Sequence, residues 1–186
     1  MGMFFSLSSL TLFAAFQYIE AGIACTILFI YPVIVALIMT FFFKEKFSKT
    51  TFSAITLTFT GIFLLYKKTS GETLNTFGVG LVLLSALLYA LYIVGVKNIK
   101  PLQKIKSDKL SFYVMLFGSL VYIVNLKFCT ELQLPTSPFA WLCAIALSIF
   151  PTIISLETIT IAIKLIGSTT TAVLGALEPL TAIFFG

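Results

Sequence analysis

Histidine and arginine are both absent from this chain of 186 residues, and charged residues of any kind make up only 10% of it. Without histidine, the chain cannot build the imidazole-based catalytic sites and metal cages that many enzymes use. Its three cysteines include no closely spaced pair that would indicate a metal or redox motif. These absences exclude several classes of site, and we expect neither a bound metal ion nor another cofactor.

Apolar residues dominate what is present. They make up 59% of the sequence, and the mean hydropathy is +1.09. A soluble domain carries about 25% charged residues, so a lipid bilayer is the predicted surrounding for most of this chain. The formal net charge of +5 comes entirely from lysine. These lysines lie between apolar runs, as topology signals do, so the charge does not predict a nucleic-acid partner.

Seven apolar segments are long enough, or nearly so, to cross a bilayer, which needs about 20 helical residues. They are too long and too uniformly apolar for the alternating strands of an outer-membrane barrel. Because backbone groups in lipid must be paired internally, each segment is predicted to be a helix. The sequence therefore predicts an all-α integral membrane protein, a multi-span bundle with helices at 3–19, 21–43, 51–66, 77–96, 110–126, 139–163 and 168–186.

The distribution of lysine predicts how these helices are oriented. If seven spans alternate in direction, nine lysines fall on one side of the membrane and three on the other. Cytoplasmic loops carry the excess of positive charge, so the first side is predicted to be cytoplasmic. Residues 97–109, KNIKPLQKIKSDK, then form a basic cytoplasmic loop, and residues 67–77 form an outer loop. The first segment starts inside, and the seventh runs outward.

Two stretches of the sequence resemble each other at an offset of 147 residues, as residues 19–39 and 166–186 show when they are aligned. Pro32 falls on Pro179, and Tyr31 falls on Glu178. By the lysine count these two stretches cross the membrane in opposite directions. Similar helices of opposite direction are typical of inverted-repeat transporters, whose substrate site lies near the bilayer midplane at the repeat interface.

The residues of these stretches also resemble a known family. The segments AGIACTILFIYPVIVALIMTFFFKEKFS (21–48) and TGIFLLYKK (60–68) are similar to the first EamA repeat of the drug/metabolite transporter superfamily. GSTTTAVLGALEPLTAIFFG (167–186) is similar to the matching part of the second repeat. The resemblance implies ten helices in two inverted five-helix repeats. Residues 1–68 would then hold helices 3–5 of the first repeat, and residues 77–186 helices 6–9 of the second.

Both ends of the chain depart from that pattern. The family's first two helices have no counterpart before Met1, and the second repeat stops at Gly186, before its last helix. We therefore expect a fragment of the family's fold.

The resemblance implies a secondary transporter of small metabolites or drugs that works by alternating access in a bacterial cytoplasmic membrane and is not an enzyme. No nucleotide-binding motif is present, so a proton or substrate gradient would supply the energy. The alternative is a non-transporting truncated membrane protein or an assembly partner. A second copy of the chain, forming a homodimer, is a further candidate partner.

Glu178 and Pro179 lie in the apolar run TAVLGALEPLTAIFFG, where a carboxylate is costly and a proline interrupts helical hydrogen bonding. The spacing of Thr171, Gly175 and Glu178 places them on one helix face, and Pro179 frees the Gly175 carbonyl as an acceptor. One interpretation is a polar cavity in which Glu178 binds substrate or protons. The other is that Glu178 is protonated or hydrogen-bonded to a neighbouring helix and only holds the bundle together.

Two further side chains are candidates for the substrate site. Tyr31 occupies the place in the first repeat that matches Glu178, and its hydroxyl either lines the cavity or the ring only packs. Glu157, in the polar stretch SLETIT, is the second carboxylate candidate. Its alternative role is that of a group near enough to the cytoplasmic face to meet water. Helix breaks are predicted at three prolines: Pro32, Pro151 and Pro179.

Overall fold

Regular structure is helical throughout residues 1–45, 53, 56, 60, 75–126 and 135–175, which are the residues that the computed structural model describes. A π-helical stretch, Ser148–Ile154, joins two of the helices without a break. The α-helices of this part are α1 (Gly2–Ala15), α2 (Ala21–Leu28), α3 (Tyr31–Phe43), α4 (Thr76–Asn98), α5 (Lys100–Lys104), α6 (Ser107–Asn125), α7 (Pro138–Leu147), α8 (Ser155–Ile166) and α9 (Ser168–Gly175).

Four stretches of the described chain are long and apolar enough to span a bilayer: Ala21–Phe43, Thr76–Asn98, Ser107–Asn125 and Pro138–Ile166. Helix α1 is apolar but shorter, with 14 residues. Large apolar side chains are exposed along these helices, as lipid-facing positions require. The predicted all-α, multi-span membrane fold is therefore confirmed. The predicted span at 51–66 is described only at residues 53, 56 and 60, which are helical, and the last predicted span only as far as residue 175.

The first helix ends earlier than the sequence predicted. We expected it to reach residue 19, but α1 ends at Ala15 and a tight turn follows. In this turn the Gln17 N–H donates to the Ala14 carbonyl at 3.2 Å, and the Tyr18 N–H donates to the Ala15 carbonyl at 2.9 Å. Gln17 and Tyr18 are exposed. The helix can end here because the N–H groups of the turn pair carbonyls that the helix itself leaves without partners.

The second predicted span is divided into two helices. Helix α2 ends at Leu28, and α3 begins at Tyr31 with Pro32 in its first turn. Proline lacks a backbone N–H, and this is tolerated in the first turn of a helix because that group would have no helical partner there. The break, at Phe29 and Ile30, therefore lies just before Tyr31 and Pro32.

Helices α1 and α4 run in opposite directions. A β-carbon on Gly95, near the end of α4, would meet Met1, whereas one on Gly78, near its start, would meet Ile19. The first residues of α1 thus lie beside the last residues of α4. This is the relative direction that the lysine-based topology assigns to the first and fourth spans.

Helices α3 and α4 run in the same direction. The ring of Tyr31, at the start of α3, contacts the ring of Tyr89. Further along both helices, Asn98 donates from its side-chain nitrogen to the sulfur of Met39 at 3.2 Å. Both helices are predicted to run from outside to inside, so the observed pairing agrees with the predicted alternation.

The buried core centres on α4, which packs against α1, α2, α3, α8 and α9. Ala86 and Ala90 lie one turn apart on α4 and are both fully buried. Small residues at such positions allow helix backbones to approach closely in a membrane. A pair of buried serines joins α1 to α4, since the Ser8 hydroxyl donates to the Ser85 carbonyl at 2.9 Å and the Ser85 hydroxyl donates to the Ser8 carbonyl at 2.7 Å.

Candidate functional site

The two stretches that resemble each other in sequence are in direct contact. Tyr31 is only 5% exposed, and its hydroxyl reaches the backbone of α9 at Gly175. A β-carbon built on Gly175 would overlap the Tyr31 hydroxyl oxygen. Glycine is therefore required at this position for α3 and α9 to come so close. The structure thus brings together two of the residues that the sequence placed in the substrate site.

Thr171 lies one turn before Gly175 on the same face of α9, and it is buried. Its hydroxyl donates to the Gly167 carbonyl at 2.7 Å, within its own chain segment. Because the proton is engaged there, the lone pairs of this oxygen are what Thr171 can offer to a ligand. The face of α9 that meets Tyr31 is therefore small and mildly polar.

Helix α9 runs antiparallel to α3. Gly175, at the end of α9, lies against Tyr31 at the start of α3. Thr169, at the start of α9, lies just beyond the end of α3, where its hydroxyl donates to a carboxylate oxygen of Glu45 at 2.8 Å. The inverted repeat predicted from the sequence requires these two helices to have opposite directions. Their contact extends along α9 from Thr169 to Gly175.

Aromatic rings surround the Tyr31 end of this contact. The rings of Tyr31 and Tyr89 meet edge to face with centroids 4.9 Å apart. Tyr89 stacks on Tyr92 at 6.1 Å, and Phe5 of α1 lies 5.4 Å from Tyr92. Each such ring pair stabilises the fold by about 0.5–1.5 kcal/mol beyond the stabilisation that comes from burying its surface. They form a rigid aromatic wall that holds Tyr31 against α9.

A cluster of buried hydroxyl groups, which the sequence analysis missed, lies beyond this wall. The Thr160 oxygen of α8 is 3.3 Å from the Tyr92 hydroxyl oxygen, and the Ser111 hydroxyl of α6 donates to it at 3.5 Å. All three side chains are buried. Hydroxyl residues inside apolar segments often form such bonds between membrane helices, which is the signal that could have indicated this cluster.

The structure does not bring Glu157 into the contact between Tyr31 and Gly175. Glu157 is half-buried in the first turn of α8, three residues before Thr160. No residue in the described part of the chain forms a hydrogen bond or ion pair with its carboxylate. It is therefore an ionisable group beside the bundle core that is not committed to a described partner.

Pro151 falls within the π-helical stretch that joins α7 to α8. Proline has no backbone N–H to donate, so one helical hydrogen bond is missing at this position. The Thr152 hydroxyl donates to the Leu147 carbonyl at 3.0 Å. Hydroxyl side chains and local π-helical turns are two ways in which prolines are accommodated in membrane helices. Glu178 and Pro179 lie outside the described residues.

Polar contacts tie the helix ends together on the predicted cytoplasmic side. The Lys97 ammonium donates to the carbonyl of Lys164 at 3.2 Å, in the last turn of α8. The Lys164 ammonium in turn donates to the carbonyl of Ile105 at 2.5 Å. Lysine side chains stabilise helix C-termini in this way because the last carbonyls lack helical partners. Together with the bond between Glu45 and Thr169, these contacts join helix ends on this side of the bundle.

Comparison with protein families matches residues 1–67 and 76–186 to the model of the EamA-like transporter family. The chain belongs to the EamA-like transporter family. Comparisons with curated proteins and with solved structures found no match. Membership in this family confirms the predicted resemblance and makes the chain a multi-pass membrane protein of a transporter family.

Proposed function

We propose that this EamA-like chain is a secondary transporter that moves small metabolites or drugs by alternating access. The single observation that carries the proposal is the contact of the antiparallel helices α3 and α9 at Tyr31 and Gly175, in a chain of a transporter family. In inverted-repeat transporters the substrate site lies near the bilayer midplane, where the repeats meet. The substrate cavity is therefore proposed to lie at this contact.

The helix boundaries support the division into two related halves. Helix α2 begins at Ala21 and α9 begins at Ser168, which is the same offset of 147 residues that aligns Tyr31 with Glu178. Each of these helices directly follows a non-helical residue, which is Glu20 before α2 and Gly167 before α9. The two halves proposed are residues 1–68 and 77–186.

Two carboxylates are proposed to serve the cavity. Glu178, which the sequence spacing places on the same helix face as Thr171 and Gly175, would bind the substrate or a proton. Glu157 is the second candidate, because its carboxylate has no described partner and lies one turn from the buried Thr160. The proposal includes no enzymatic step, since transport requires only binding and release. The membrane proposed is the cytoplasmic membrane of a bacterium, with residues 97–109 inside.

The described conformation is proposed to be closed to the cytoplasm. The bond between Thr169 and Glu45 joins the two halves there, at 2.8 Å. In alternating access one half rocks against the other around the fixed site. This contact would therefore break when the cavity opens inward.

Transport assays in proteoliposomes test the proposal. The full chain is reconstituted, and uptake of radiolabelled amino acids, sugars, nucleosides and organic cations is measured with and without an imposed pH gradient. We expect saturable uptake of at least one class, which Gly175→Val should abolish because the new side chain would overlap Tyr31. Gly80→Ala is the matched control, since a β-carbon on Gly80 meets no atom within 4 Å.

Absence of uptake in every class, from protein shown to be folded, would contradict the proposal and favour the role of an assembly partner. Light scattering of the purified chain in detergent tests the homodimer, which stays a prediction. A mass corresponding to one copy would contradict it.

A further inference from the structure

An apolar cavity of about 390 Å³ lies between the start of α1, helix α5 and the first half of α6. Its size falls within the range of about 300–1,000 Å³ that is usual for small-molecule sites. Neither the Tyr31 contact nor the hydroxyl cluster contributes to it. The walls are formed chiefly by Met1, Leu102, Ile105, Tyr113, Val114 and Phe117.

The cavity borders the most basic segment of the chain. Lys100 and Lys104 flank Leu102 on α5, and both lysines are exposed although Leu102 lines the cavity. Two further exposed lysines, Lys106 and Lys109, follow within the same loop. Helix α5 therefore presents an apolar side to the cavity and a cationic side to the membrane surface.

These lysines differ from the two that close the helix ends. The ammonium groups of Lys97 and Lys164 donate to backbone carbonyls, whereas the ammonium groups of Lys100, Lys104, Lys106 and Lys109 form no hydrogen bond or ion pair with any residue that the structure describes. The acidic residue among them is Asp108, which is exposed in the first turn of α6. With four ammonium groups and one carboxylate, this surface carries a net positive charge that can bind an anion.

We propose that the cavity holds one acyl chain of an anionic phospholipid of the cytoplasmic leaflet, with Lys100 and Lys104 binding its phosphate. Basic clusters on the cytoplasmic side of membrane helices bind anionic head groups, and an apolar cavity beside such a cluster suits the chain of the same molecule. The leaflet follows from the predicted orientation of residues 97–109. The proposal does not depend on transport.

Lipid binding to the purified full chain tests this assignment. The protein in detergent is titrated with phosphatidylglycerol or phosphatidylcholine of identical acyl chains, and bound lipid is counted by native mass spectrometry. We expect one retained phosphatidylglycerol molecule, and we expect phosphatidylcholine to bind at least about tenfold more weakly. Equal retention of both lipids would overturn the role of the lysines.

Two variants separate the lysines from the general charge of the protein. Lys100→Gln with Lys104→Gln should weaken phosphatidylglycerol binding by about tenfold. Lys67→Gln with Lys68→Gln removes the same charge from the predicted outer side and should change nothing. An equal loss in both double variants would show non-specific attraction and would overturn the site.

The acyl chain is tested first by changing the lipid, which leaves the protein unmodified. Dihexanoyl phosphatidylglycerol keeps the head group but cannot fill the cavity to the same depth. We expect it to bind at least tenfold more weakly than the long-chain lipid, since each buried methylene adds to the affinity. Ile105→Trp, which narrows the cavity, should reduce the difference between the two lipids. Equal binding of short and long chains to the unmodified protein would show that the cavity is not occupied.

Discussion

The hydroxyl group of Tyr31 lies against Gly175 so closely that the position has no room for a β-carbon. Tyr31 cannot retreat easily, because it is 5% exposed and its ring rests on Tyr89 with centroids 4.9 Å apart. The fit between α3 and α9 therefore depends on the absence of a side chain at one position and on the presence of a phenol at the other.

Gly175→Ala should consequently destabilise the folded protein by about 1–3 kcal/mol, the usual cost of overpacking a well-packed contact. The second substitution Tyr31→Phe removes the oxygen that the new methyl group would meet. We expect the double variant to recover part of the loss. Thermal unfolding in detergent measures both effects. An alanine variant as stable as the unmodified protein would show that α3 and α9 can separate without cost.

Gly167 offers a contrasting test, because the constraint there is in the backbone. Its φ and ψ angles are 91° and 166°, a combination that only glycine adopts readily. A β-carbon on Gly167 would meet no atom within 4 Å, so any cost of a substitution arises from the backbone alone. Gly167→Ala should reduce the free energy of unfolding by about 1–3 kcal/mol, or else change the angle between α8 and α9.

The control for this variant is Gly22→Ala, where a β-carbon also meets nothing within 4 Å but the φ angle is not positive. That substitution lies in a helix and should be neutral or slightly stabilising. Equal behaviour of the two alanine variants would contradict the argument from backbone geometry.

The bond between Thr169 and Glu45 leads to a prediction about opening on the side that the lysines predict to be cytoplasmic. Ala172, one turn from Ser168 on α9, is buried, and the substitution Ala172→Cys provides a thiol that reports access to the buried side of α9. In a background without Cys25, Cys129 and Cys143, Thr169→Val should raise the rate at which this introduced thiol is labelled in inside-out vesicles. The expected increase is about two- to tenfold, corresponding to the loss of one hydrogen bond.

Thr169→Ser keeps the hydroxyl donor, so the introduced thiol should be labelled at the original rate. The same rate is expected for Thr170→Val, which changes the exposed neighbouring residue. A rise of equal size with Thr170→Val would indicate general loosening of α9. No rise with either Thr169→Val or Glu45→Ala would show that this bond does not hold the end closed. Neither result depends on the detection of a substrate.

The features that depend on short stretches of chain could be predicted from the sequence. The contacts between helix faces could not. Hydropathy located the spans, because a bilayer requires about 20 apolar residues wherever a helix crosses it. The lysines ordered their directions, and the neighbours of Met1 and Ile19 along α4 agree with that order. Family membership was also predictable, since the motifs around Pro32 and Glu178 are local.

The contacts between helices needed the structure. Spacing placed Thr171 and Gly175 on one face of α9, but it did not indicate that Tyr31 is the residue this face meets. Ser111 and Thr160 are 49 positions apart, and a hydroxyl group in an apolar run gives no sign of its partner. The tight turn after α1 was missed for a related reason, since a helix end at the membrane surface depends on its surroundings as well as on propensity.

Glu178 carries the last prediction, which rests on its sequence position because the residue lies outside the described part of the chain. If its carboxylate couples protons to transport, then Glu178→Gln keeps the size and the hydrogen-bonding capacity but removes the ionisation. Uptake by this variant in proteoliposomes should no longer depend on pH, while the amount of inserted protein stays the same.

Glu157→Gln is the matched comparison, because it removes the other candidate carboxylate from a position that the structure describes as half-buried. A pH dependence that is lost only in Glu178→Gln assigns the coupling to Glu178, whereas loss only in Glu157→Gln assigns it to Glu157. If both variants keep the pH dependence of the unmodified protein, neither carboxylate exchanges the coupling proton. Glu178→Leu then decides whether the group serves packing, since a structural carboxylate that loses its hydrogen bond should lower the yield of folded protein.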